Sequence, residues 1–105
     1  MPGFLDGLQD GIETLVRDEV EEHIDEAKAD IRDFLDSSKD KLERWFQALT
    51  DGTLAKDEFE FLVKSQRDLA KMRALTEIGL AKVRIQRIVN GVIDLIVDTA
   101  FDAIP

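Results

Sequence analysis

The sequence predicts an all-α fold: a long antiparallel two-helix hairpin that dimerises into a four-helix bundle or coiled coil. Three observations predict it. Apolar residues recur at spacings of three and four along almost the whole chain. One stretch, residues 48–59, interrupts that spacing near the midpoint of 105 residues. Charge blocks of opposite sign flank this stretch at matching distances. The whole chain, 1–105, is then one helical-hairpin domain, with helix one at about 4–50, a turn at about 50–55 and helix two at about 55–103.

Helix one is read from a ladder: Leu5, Leu8, Ile12, Leu15 and Val16, Val20, Ile24, Ala27, Ile31, Phe34 and Leu35, Leu42, Trp45 and Phe46, Leu49. Ser38 fills the one rung without an apolar residue. A step of about 3.7 residues keeps these side chains on one face and leaves the helix nearly straight, about 70 Å long. Gly11 and the pair Ser37-Ser38 are places where it can break, but the ladder keeps phase across both.

Asp51-Gly52 forms the turn, since glycine adopts the left-handed conformation that ends a helix. With Ala55 as N-cap of the next helix, Glu58 stands at the carboxylate position of a capping box, and Leu54 and Phe59 at the two positions of a hydrophobic staple. Alanine has no side-chain oxygen to complete the cap, so Thr53 is the alternative N-cap, with the helix starting two residues earlier. The same stretch half-matches a calcium loop, but Gln47 and Leu49 replace the carboxylates a hard cation requires, so a plain connection is expected.

Helix two begins with two parallel apolar rows. One runs Phe59, Leu62, Leu69, Met72, Leu75, Leu80, Val83; the other Val63, Ala70, Ala74, Ile78, Ala81, Ile85. From Ile88 to Ile104 the helix is apolar nearly all round, with Asp94, Asp98 and Asp102 as a narrow wet stripe. Asn90-Gly91 is a third place for a break. A single hairpin partner covers only one side of this end segment. Ile88, Val92, Ile93, Ile96 and Phe101 are therefore expected to form an interface between copies, giving a homodimer or higher oligomer.

Residues 18–36 hold nine acids and two bases; residues 64–87 hold seven bases and two acids. Folding about residue 52 sets position i opposite roughly 104 minus i, so the blocks face one another and select the register. The same register brings Gly11 close to Gly91.

Little in the chain points to chemistry. The net charge of −9 argues against nucleic acid and anionic membrane surfaces. His23 is the only histidine, and Ser38 lies about 22 Å from it along a helix, which rules out a Ser-His-Asp arrangement within one chain. Glu19, His23 and Glu26 share a helix face with Glu77 opposite, the parts of a bundle metal site. The Glu-x-x-His spacing is missing, because Val20 precedes His23 by three, so no metal or cofactor is expected. No uncharged run is long enough to span a bilayer and the first residues lack a basic leader, so a cytoplasmic location is the default. The expected function is a non-catalytic structural or partner-binding module acting on copies of itself or on another protein. The alternative is an amphipathic protein on a lipid or granule surface.

Overall fold

The computed structural model describes residues 8–20 and 22–104; the expected start of helix one at about residue 4, with Leu5, lies outside the described residues. Every regular element among them is helical: α1 (Gln9–Glu19), α2 (Ile24–Asp51), α3 (Lys56–Ser65), a 3₁₀ turn (Gln66–Leu69), α4 (Arg73–Glu77) and α5 (Lys82–Ala103). The longest dimension is 43 Å, close to α2 alone at about 1.5 Å per residue. The two uninterrupted helices expected from the periodicity are not formed. Each is broken once or more, and the breaks fall where the spacing does not announce them.

Gly11 lies inside α1, Ser37 and Ser38 inside α2, and Asn90-Gly91 inside α5. Helix one breaks instead between Val20 and His23, whose backbones leave the helical region (φ −141°, ψ 67° and φ −126°, ψ 40°). Asp18, Glu19, Glu22, Asp25 and Glu26 crowd this elbow. A continuous helix would stack them as like charges three and four residues apart, each pair destabilising by about 0.2–0.5 kcal/mol. Lys28 bridges the elbow, its Nζ 3.1 Å from Glu13 Oε1.

The central turn follows its residues. Gly52 is left-handed (φ 81°), and the amides of Thr53 and Leu54 both donate to the Ala48 carbonyl. Ala55 is the N-cap of α3, and Glu58 Oε1 accepts from its N–H at 3.2 Å. Only this half of a capping box can form, since alanine offers no acceptor in return. Phe59 is fully buried and Leu54 packs against the core.

Helix two breaks between Ser65 and Ala81. The Ser65 hydroxyl donates to the Leu62 carbonyl, drawing on a backbone acceptor that a continuing helix needs. After the 3₁₀ turn the chain reaches Met72 in the left-handed region (φ 45°, ψ 53°), which costs a residue with a Cβ about 1–2 kcal/mol. The five-residue α4 ends in a Schellman motif. Gly79 (φ 83°) donates to Thr76 and Leu80 to Leu75, both at 3.1 Å, satisfying carbonyls the helix would leave open.

The core runs the length of the molecule. Every rung of the first ladder from Leu8 to Leu49 is buried or half-buried, Ser38 included. α5 contacts both α1 and α3. At the α1–α5 seam the helices interlock through two notches: a Cβ on Gly11 would stand 2.6 Å from Leu95 Cδ1, and one on Gly91 2.6 Å from Leu15 Cδ1. The two leucines thus fill the spaces that the two glycines leave. These pairs are antiparallel and lie within two residues of the expected register. Asp94, Asp98 and Asp102 are exposed along α5, the wet stripe their spacing predicts.

Candidate functional site

The residues expected to form an interface lie in the core of a single chain. Ile88, Val92, Ile93 and Ile96 are at most 2% exposed, and Phe101 is half-buried with its ring centroid 6.0 Å from that of Phe59. Folding the chain at the elbow and at 66–81 brings α1 and α3 onto two sides of α5. One hairpin partner would have covered only one side. Much of the apolar character of α5 is therefore used within the chain: Ile88, Val92, Ile93 and Ile96 are buried there, and Phe101 keeps part of its ring at the surface.

Polar features collect instead where α2 meets the interrupted stretch. Asp30 is 6% exposed. Its Oδ1 accepts from the Ala74 N–H at 3.0 Å and its Oδ2 from the Leu75 N–H at 2.9 Å. These are open amides in the first turn of α4, and a carboxylate is the strongest acceptor available to them. Asp30 thus caps α4 from another helix, at the register the charge blocks predict, and it sits beside left-handed Met72.

A cleft of about 510 Å³ opens next to this cap. Asp33, Asp36 and Ser37 of α2 form one wall, Leu69, Lys71 and Arg73 the other, over Phe34 and Met72. The acidic and basic blocks do face one another here, but no ion pair joins them among the described residues, where the pairs are Lys28–Glu13 and Lys64–Glu60. Phe61, Lys64, Ser65, Arg67, Asp68 and Gln86 line a second cleft, of about 480 Å³. Asn90 Oδ1 ties two of these residues together, accepting from Arg67 Nη1 at 3.3 Å and Gln86 Nε2 at 3.2 Å. Large apolar side chains remain outside: Phe61 is 72% exposed, Val83 65%, Leu69 49% and Ile78 41%.

Among the described residues two buried side-chain polar atoms have no hydrogen-bond partner, Ser38 Oγ on α2 and Gln66 Oε1 on the 3₁₀ turn. They stand at equal sequence distance from Gly52.

The elbow at Val20–His23 separates Glu19 on α1 from Glu26 on α2, so Glu19, His23 and Glu26 do not share one continuous helix face. Glu77 ends α4. Among the described residues no group of three or more His, Asp or Glu is placed to hold a metal ion. Ser38 is buried in the core, Ser37 is exposed at the cleft, and the Ser65 hydroxyl is engaged with its own helix. None of the helices of the described residues is long and apolar enough to cross a membrane.

Asp30, Met72 and Gly79 were not singled out by sequence reasoning. Gly79 carried a usable signal, a glycine followed by an apolar residue at the end of a periodic segment. Asp30 carried none, being one acid among nine. No family model matches the chain, and neither the curated proteins nor the solved structures contain a match to it.

Proposed function

We propose that this chain is a non-catalytic helical module that works by association, foremost with copies of itself. The observation that carries this reading is the surface of residues 61–87. Phe61, Leu69, Ile78 and Val83 stay largely in water there, interleaved with Arg67, Lys71, Arg73, Lys82, Arg84 and Arg87, none of which has an ion-pair partner among the described residues. Large apolar side chains set among unpaired charges, on a chain that buries most of its other large hydrophobics, are the makings of a contact surface. The scattering of His23 and the serines supports a non-catalytic role. Association has to use this surface, since Ile88, Val92, Ile93 and Ile96 are core.

Solution mass by multi-angle light scattering across the micromolar range tests the reading. A dimer or larger species supports it, and a monomer at every concentration counts against it.

A second reading has its own observation. The same alternation of exposed apolar and basic side chains suits an anionic lipid or granule surface, although the rest of the chain is acidic. Flotation with anionic vesicles, followed by circular dichroism, separates the two.

A further inference from the structure

We propose that the cleft between α2 and the 69–73 stretch is the seat of a second copy of this chain, docked about a two-fold axis that runs along the cleft. This rests on the associative reading above and names the surface and the pairing. Asp33 and Asp36 on one wall and Lys71 and Arg73 on the other are all exposed, and none has an ion-pair or hydrogen-bond partner among the described residues. Asp30 is not available to a ligand, because both its oxygens hold α4 amides. What remains is an acidic row, a basic row and the half-exposed Leu69.

This order selects the partner. A ligand of one sign, whether nucleic acid, anionic membrane or polycation, is attracted by one row and repelled by the other. A surface with the two rows reversed meets both favourably, and rotating this same surface by 180° about the cleft's long axis produces that reversal. Each copy's Asp33 and Asp36 then lie over the other's Lys71 and Arg73, and both Leu69 side chains are covered. Such an isologous contact closes on itself and gives a dimer. The net charge of −9 per chain repels at long range, so local charge order and apolar cover have to carry the contact.

The test uses two charge-reversed chains, Lys71→Glu/Arg73→Glu and Asp33→Lys/Asp36→Lys, each checked for parent-like helicity by circular dichroism. Light scattering should find the parent dimeric, each variant alone monomeric, and their equimolar mixture dimeric, because one variant then carries two acidic rows and the other two basic rows. If either variant loses helicity, Lys71→Gln/Arg73→Gln replaces the reversal and should shift the parent's dimer towards monomer without changing the circular dichroism spectrum. A parent dimer that survives these substitutions, or a mixture that stays monomeric, overturns this interface but leaves the associative reading standing. A parent that is monomeric throughout overturns both, and binding of that monomer to anionic vesicles assigns the surface to lipid.

Discussion

The two halves of the chain meet at two seams built in different ways. Where α1 meets α5 the contact is dry and interlocked: Leu95 fills the notch at Gly11, Leu15 the notch at Gly91, and Ile88, Val92 and Ile96 pack fully buried beneath. Where α2 meets residues 66–81, buried apolar side chains (Ile31, Phe34, Met72 and Leu75) are mixed with polar groups. A carboxylate caps a five-residue helix, a methionine is held left-handed, and two buried oxygens lack partners. The first seam places only apolar atoms inside, whose burial is favourable wherever they fit. The second depends on specific hydrogen bonds, each costly when unmade. Helix α5 is thus anchored by shape, and the stretch leading to it by Met72 and Leu75 in the core together with the carboxylate of Asp30. The dependence on hydrogen bonds that are costly to lose predicts that residues 66–81 open before α5 does.

The largest blow to the dry seam is Ile96→Asp. It places an unpaired charge at a fully buried site, with a cost on the order of 5 kcal/mol, and circular dichroism should show unfolding rather than a shift from dimer to folded monomer. A folded, fully helical variant would mean that α5 does not pack as described. At the mixed seam, Asp30→Ala strands the Ala74 and Leu75 amides and should lower stability by about 3 kcal/mol, while Asp30→Asn, which keeps one acceptor, should lose about half of that. Hydrogen exchange should quicken in residues 66–81 before it does in α5; equal acceleration in both would dissolve the distinction between the seams.

Gly11→Ala pushes a Cβ against Leu95. The overpacking penalty of about 1–3 kcal/mol is partly offset by a helix-propensity gain of about 1 kcal/mol, so a net loss of about 1 kcal/mol is expected. Combining it with Leu95→Ala should cost less than the sum of the single changes, and strict additivity in chemical denaturation would show that the notch is not tight.

Ser38→Ala works in the other direction. Removing a buried hydroxyl without a partner should raise stability by up to about 1 kcal/mol; a loss of that size would reveal a hydrogen bond for Ser38.

The smallest effect is at the elbow. The hydrogen bond and then the positive charge of Lys28 hold the Glu13 carboxyl below its ordinary range, with a further contribution from Arg17. A carboxylate whose folded value is depressed contributes stability above its unfolded value and loses it as pH falls through the folded one. Lys28→Met should therefore raise the Glu13 value measured by NMR titration and slightly flatten the acid side of the stability profile. An unchanged titration would mean that Glu13 and Lys28 do not interact in solution.

Legibility differs along the chain for physical reasons. Gly52, Ala55 and Glu58 act through neighbours in sequence, so the turn and the start of α3 could be read directly. The rungs from Leu8 to Leu49 could be read as one buried face, because periodicity survives the elbow at Val20–His23. The elbow itself is hidden in a run of acids that also reads as a solvated helix face. The break at 66–81 is hidden because Leu69, Met72 and Leu75 keep helical spacing through it. The cleft was half legible: the opposed charge blocks announce that Asp33 and Lys71 face one another, but nothing in them reveals the gap between the walls.

The amino-acid order alone determined that the chain is helical, where its central turn lies, which residues of the first half line the core and roughly which positions of the two halves meet; in the second half Leu69, Ile78 and Val83 keep the apolar spacing yet stay exposed. Those properties follow from local backbone preference and from the period of apolar side chains, and both act within a few residues. Only the tertiary structure decided that α5 packs against both α1 and α3 of its own chain. The choice turns on whether a helix of nearly uniform periodicity bends, and that balances a few kcal/mol of backbone cost, as at Met72, against apolar area that only a bent chain can bury on both sides of α5. Asp30 favours the bent chain from 44 residues away, by supplying acceptors to the first-turn amides of α4.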